Sequence, residues 1–243
     1  RRRTGHDRYQ RRNVAILKGR KRMNKTILLT CGAQPAIRQA ADFFAASHDR
    51  VYLSAPARPE NMADGIRFLP FDPMHKESLA QAVKEIERQS GQLDILVLGT
   101  GRQPHDGKVG AGHDYDEMLD TMMQNLYGAF ETVNAFLPLL RRGMKRIAAI
   151  TDIEASNSYS TGQEDFAASA SKAALNMMGK ILFNKLRPEG FTFRWYCDIK
   201  APEAMQAGEY ITSALCYDEK EPYIHSDENR FVLRDGFLRE IPW

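Results

Sequence analysis

The chain has 243 residues, 43% apolar and 27% charged, which is enough for one soluble α/β core and excludes a disordered or fibrous polymer. No apolar stretch approaches the length that crosses a bilayer, and the arginine-rich start lacks the apolar segment of a secretory signal, so the chain reads as cytoplasmic with no membrane partner. Cys31, Cys197 and Cys216 form no Cys-x-x-Cys pair, which argues against a disulfide framework or a zinc site.

The net charge of +3 is unevenly spread. Residues 1 to 22 hold ten Lys or Arg against Asp7, a net of +9, and the remainder carries −6. Such an arm can neutralise phosphates on a nucleic acid or an anionic surface. The simpler reading is that Gly19-Arg20-Lys21-Arg22 is a translated ribosome-binding site and that Met23 is the true start. Residues 1 to 22 are then a disordered or misassigned extension, residues 23 to 243 form one domain, and nucleic acid is disfavoured as a partner.

From Thr26 onward short apolar runs alternate with longer helical patterns, the signature of a parallel sheet with helices on both faces. The first strand is expected at Thr26–Thr30, followed by a helix from about Pro35, where a proline suits the first helical position. Strands follow at Arg50–Ser54 and Ile66–Pro70, then a helix from about Glu77 to Gln89, with Leu79, Val83 and Ile86 at helical spacing. Leu93–Leu98 is nearly all apolar, as a central parallel strand should be.

A loop rich in Gly, His and Asp spans Gly99 to His113. It precedes a long helix from about Tyr115 to Leu140, whose expected apolar stripe is Leu119, Met122, Leu126, Phe130, Val133 and Leu137. A fifth strand is expected at Lys145–Thr151 and a sixth at Thr192–Cys197. Residues 230 to 237 read either as a final strand or as a small hairpin turning at Asp235-Gly236. The fold class is thus a doubly wound, three-layer α/β/α sandwich of the Rossmann-like type.

The run Ala168-Ser169-Ala170-Ser171-Lys172 resembles the active-site helix of the short-chain dehydrogenase/reductase family, whose pattern is Tyr-x-x-x-Lys; the tyrosine position is Ala168. Residues four apart stack on one helix face, so the family's lysine lowers the pKa of the phenol that protonates the substrate carbonyl, and a methyl group cannot replace that phenol. Further landmarks carry the resemblance. Asp72 matches an acidic residue that commonly contacts the adenine, and Gly99 follows the strand that leads into the family's Asn-Asn-Ala-Gly. Asn125 matches the asparagine that supports a water relay to the lysine.

The resemblance implies an NAD(P)-linked oxidoreductase, but three parts of the pattern depart from it. The phosphate loop Thr-Gly-x-x-x-Gly-x-Gly aligns with Thr30-Cys31-Gly32-Ala33-Gln34-Pro35-Ala36-Ile37, replacing all three glycines; Ile37 is expected to collide with a nucleotide or to push its helix off the strand. Gly32 is the residue placed to shift the register and rescue part of the turn. Arg58, with no acid at Ser54 to Pro56, favours NADP over NAD if any cofactor binds; the alternative is none.

The serine that polarises the carbonyl falls on Asp152 by strand-end alignment or on Ala155 by counting back from Ala168. Thr151 or Ser156 remain as sources of a hydroxyl, and a carboxylate at Asp152 would repel a developing alkoxide. The substrate-covering segment after the sixth strand reads as deleted, with Asp198–Glu203 running almost directly into a helix at Glu209–Leu215.

Tyr159 is the replacement acid to consider, although it lies thirteen residues before Lys172. Lys172 reads as a remnant exposed to a partly open cleft, or as a Schiff-base amine if desolvated. His105, Asp106, His113, Asp114, Asp116 and Glu117 offer metal-ligating groups, but acids at a helix N-terminus are the simpler reading, so no metal is expected. The resemblance also implies a homo-oligomer, a dimer through the Asn125 and Lys172 helices, or pairing with a related subunit. Two functions stay open: a family protein without conventional hydride transfer, or an atypical NADP(H)-dependent oxidoreductase on a small carbonyl or alcohol, using Lys172, Asn125 and Tyr159.

Overall fold

The computed structural model describes residues 24–46, 49–99, 101, 110, 112, 114–198, 229–235 and 239–242. Among the described residues, eight strands make one sheet in the order β3-β2-β1-β4-β5-β6-β7-β8. β1 (Thr26–Leu29), β2 (Arg50–Leu53), β3 (Ile66–Phe68), β4 (Ile95–Leu98), β5 (Arg146–Asp152), β6 (Thr192–Asp198) and β7 (Leu233–Arg234) run parallel; β8 (Glu240–Ile241) returns antiparallel to β7. Both alternatives for the chain's end are therefore realised, because β7 pairs beside β6 and also opens a hairpin. The expected turn residue Gly236 and Phe237 lie outside the described residues.

Strand parity divides the core. Leu28, Leu96, Ile147 and Ala149 face α2 (Lys76–Ser90), α4 (Gly128–Arg142) and α5 (Phe166–Leu186), while Ile27, Leu29, Val97 and Ala148 face α1 (Pro35–Ala46). β1 and β4 are buried on both faces, which is why they read as continuous apolar runs. Asp94 anchors their lower end, accepting from Thr26 N at 2.8 Å and from Met144 N at 3.0 Å. Gly143 passes so close to β4 that a Cβ there would lie 2.1 Å from the Leu93 carbonyl oxygen.

The long helix continues to Arg142, but it is not one regular α-helix. α3 (Tyr115–Met122) passes through a π turn at Met123–Tyr127 before α4. The wider turn shifts the inward face, so Leu119 and Phe130 of the expected stripe are exposed, whereas Asn125, Thr132, Val133 and Phe136 point inward. Asp114 caps α3 by accepting from Glu117 N at 3.0 Å, which places Asp114, Asp116 and Glu117 at a helix N-terminus as the simpler reading had it. Residues 1 to 22, His105, Asp106, His113, Cys216 and the segment 199–228 with the expected helix at Glu209–Leu215 lie outside the described residues. Among the described residues no helix is long and apolar enough to cross a membrane.

Candidate functional site

β5 ends at Asp152, whose Oδ1 accepts from Glu154 N at 3.0 Å and so starts a single 3₁₀ turn, Ile153–Ala155. Its Oδ2 accepts a hydrogen bond from the ammonium of Lys172, a third of the way along α5, and forms an ion pair with it. The Lys172 side chain is only 2% exposed, and Asp152 is 24% exposed. Lys172 is therefore not a remnant open to a cleft. Desolvation of an ammonium is tolerated because a carboxylate faces it, and the same lysine neutralises the charge that would have repelled an alkoxide.

One turn before Lys172 stands the buried methyl of Ala168, so α5 offers no phenol above the ammonium. Tyr159 is half-exposed on the loop before α5 and is held by its backbone N–H on Ser156 Oγ at 3.2 Å; the ammonium is taken by Asp152 instead. Buried Asn125 donates from Nδ2 to Ser171 Oγ at 3.0 Å, and that hydroxyl donates on to the Ala168 carbonyl at 3.0 Å. Asn125 and Lys172 thus lie on neighbouring helices, with a hydrogen-bond chain that ends on a backbone carbonyl. Of the two hydroxyls considered, Ser156 donates to the Pro242 carbonyl at 2.5 Å and Thr151 is buried without a partner among the described residues.

A separate cleft of about 640 Å³ opens at the carboxyl ends of β1, β2 and β4, where the strand order reverses. Of the residues proposed for a cofactor, Asp72 and Gly99 line it; Lys172 does not, and Arg58 stands exposed beyond its rim. Gly32 lies between the lining residues Cys31 and Ala33 but is turned towards Leu53, whose Cγ would be 2.6 Å from a Cβ at that position. Ile37 is fully buried in the cluster with Ile27, Leu29 and Val97 and does not line the cleft.

Sequence reasoning passed over Cys31 as a lining side chain. It adopts a left-handed backbone with φ of 58°, and its thiol donates to the Gly99 carbonyl at 3.2 Å. Burial pushes that thiol up to about 11, against a weaker opposing hydrogen bond with Thr30. The signal was present in the sequence, since a non-glycine stood where the turn needs a positive φ.

The model of the family described as Enoyl-(Acyl carrier protein) reductase matches residues 32–194, two thirds of the chain, from the turn after β1 to the start of β6 and including Asp152 and Lys172. The chain belongs to the short-chain dehydrogenase/reductase family. The C-signal protein of Myxococcus xanthus is 35% identical to this short-chain dehydrogenase/reductase over 103 residues, covering 42% of the chain and 61% of that protein. A short-chain dehydrogenase/reductase of Stachybotrys chlorohalonatus is 31% identical over 129 residues, covering 50% and 47%. The match therefore spans less than two thirds of either relative.

Solved structures give the same fold. The carbonyl reductase Sniffer of D. melanogaster aligns with a TM-score of 0.76 at 19% identity, over 91% of this chain and all of that one. A Pseudomonas aeruginosa RhlG/NADP complex aligns with a TM-score of 0.63 at 22% identity, over 73% of each chain.

The turn after β1 withholds two of its donors from a pyrophosphate. Its Gly32 N–H is bonded to the Ser54 carbonyl at 2.8 Å and its Gln34 N–H to the Cys31 carbonyl at 2.9 Å, while Pro35 has no N–H. A cradle for phosphate needs such donors free and pointing outward.

Proposed function

We propose that this member of the short-chain dehydrogenase/reductase family performs no conventional hydride transfer and acts in the cytoplasm as a binding or assembly subunit, with one domain from Met23 onward. The observation that carries the reading is the buried ion pair between Lys172 and Asp152 beside the methyl of Ala168. An ammonium already neutralised by a carboxylate has no phenol to activate, and the carbonyl-polarising position offers the acid Asp152 or the methyl of Ala155, with the Ser156 hydroxyl occupied and that of Thr151 buried. A positioned general acid is worth about 10²- to 10⁴-fold in rate, and charge stabilisation of the developing oxyanion adds a comparable factor, so losing both leaves little turnover.

Assembly as a dimer through the Asn125 and Lys172 helices is supported by exposed apolar side chains along them. Tyr127 and Phe130 flank the π turn and α4, and Met177 and Ile181 lie one turn apart on α5. Ile181→Glu should convert a dimer to a monomer in light scattering; a wild-type monomer refutes the assembly.

The competing reading is an NADP-linked oxidoreductase built on Lys172, Asn125 and Tyr159, with Arg58 meeting the 2′-phosphate. Oxidation of NADPH with a panel of aldehydes and ketones separates the two. The proposal expects none above the buffer rate. NADPH-dependent turnover that disappears in Lys172→Ala would overturn it in favour of the reductase.

A further inference from the structure

The loop that follows β5 is organised around one buried hydroxyl. Ser156 is 1% exposed, whereas Tyr159, three residues on, is 53% exposed. Ser156 Oγ accepts from Ser158 N at 3.3 Å and from Tyr159 N at 3.2 Å, and the Ser156 carbonyl accepts from Ser160 N at 2.9 Å. Glu154 extends the fastening, accepting from Ser160 Oγ at 2.6 Å and from Gly162 N at 2.8 Å. A hydroxyl has one proton to give, and Ser156 gives it across the fold to the Pro242 carbonyl at 2.5 Å.

The strand that delivers Pro242 is held lightly. β8 is two residues long, lies at the edge of the described sheet, and pairs with β7 through Leu233 with Ile241 and Arg234 with Glu240. The ion pair of Arg230 with Glu240 is half-exposed on both sides and adds little. The firm anchor is Ile241, buried in one cluster with Trp195, Phe231 and Leu233. A short edge strand with one buried anchor belongs to the part of a sheet that opens before the whole molecule unfolds.

We propose that β8 is a strap over the loop at 153–162, that strap and loop open as one unit, and that Ser156 is the positioning residue that couples them. With the strap closed, the Ser156 proton is committed to Pro242, and the turn it caps is fixed between Asp152 and Tyr159. With the strap open, that hydroxyl can donate to another acceptor, and the Ser158 and Tyr159 N–H groups lose their rigid partner. The contact is thus autoinhibitory: a ligand that needs the Ser156 proton must first displace Pro242. Coupling of this kind is reciprocal, so whatever loosens β8 loosens the loop. It stands under either reading of the function, because it concerns motion and not chemistry.

Hydrogen exchange of the full chain, read by mass spectrometry at peptides covering 156–162 and 239–242, tests it. In the parent, both segments should exchange at a similar protection, well below that of β4. Ser156→Ala removes the coupling bond and should accelerate both segments by up to about tenfold. Ile241→Val trims the anchor and leaves Ser156 untouched; it is mild enough to fold and should accelerate both by about threefold to tenfold.

Three results overturn the proposal. One is acceleration of 156–162 alone in Ser156→Ala, with 239–242 unchanged. Another is acceleration of 239–242 alone in Ile241→Val, which would make the strap and the loop independent. The third is protection of 239–242 equal to that of β4 in the parent, since β8 then opens only when the whole protein unfolds.

Discussion

Asp152→Asn isolates the ion pair on which the proposed absence of hydride transfer rests. The substitution keeps an oxygen for Glu154 N–H, bonded at 3.0 Å, and replaces the anion that faces Lys172 with a neutral amide. What remains is an ammonium on a side chain 2% exposed, with its counter-charge gone. Removing one partner of a buried pair costs about 3–5 kcal/mol, and the 24% exposure of Asp152 sets the expectation at the lower end, about 3 kcal/mol. In a protein of this size each kcal/mol moves the melting temperature by about 2–4 °C, so the variant should melt about 6–12 °C below the parent.

Differential scanning calorimetry at neutral pH measures that shift. Because an apolar pair of similar volume often replaces a buried ion pair at little cost, Asp152→Leu combined with Lys172→Met should recover to within about 1 kcal/mol of the parent. An Asp152→Asn protein that melts within about 1 °C of the parent would refute the reasoning, since a shift that small is under about 0.5 kcal/mol.

Three further outcomes follow from local geometry. Asp94, 7% exposed, accepts from Thr26 N, Gln92 Nε2 and Met144 N; Asp94→Ala strands two backbone donors and should cost about 3 kcal/mol in urea unfolding, with Asp94→Asn costing less. A Cβ on Gly179 would lie 2.6 Å from the Trp195 ring and 2.7 Å from Phe231 Cζ, so Gly179→Ala should destabilise by about 1–3 kcal/mol and shift the tryptophan emission. The Cys31 thiol, raised from 9.0 to about 11, stays protonated at neutral pH. Between those values the unfolded chain has lost this proton and the native one has not, so stability is full below pH 9.0 and falls as pH rises towards about 11. Peptide-resolved alkylation of Cys31 should accelerate only above pH 9.0, and an inflection at or below that value contradicts the burial argument.

The strands were legible because burial on both sides of a parallel sheet forces continuous apolar runs, and β1, β4 and β5 are such runs. Helix existence was equally plain, but helix facing was not. A regular period of 3.6 puts Leu119 and Phe130 on one stripe, and the π turn at Met123–Tyr127 breaks that period, leaving both exposed and turning Asn125 inward. The chain's end was ambiguous for another reason. The Asp235-Gly236 pattern signals a turn whichever strand precedes it, and here β7 is both a parallel neighbour of β6 and the first arm of a hairpin.

Losses are easier to read from a sequence than the contacts that compensate for them. Ala168 and Cys31 stand at positions where a helix period and a tight turn each demand one residue type, so their mismatch shows in the letters alone. Asp152 carried no such mark. Set against a substrate alkoxide it reads as repulsive, but its partner lies twenty residues on, across a loop, and only the docking of α5 against the end of β5 brings the two charges together. The alanine and the aspartate then belong to one arrangement around the ammonium. Without a phenol above it, a desolvated ammonium needs another counterpart, and the carboxylate supplies it. Restoring the tyrosine alone therefore leaves Lys172 bound to Asp152, and Ala168→Tyr should oxidise NADPH with a carbonyl panel no faster than the parent; a clear gain from that single substitution would refute the argument.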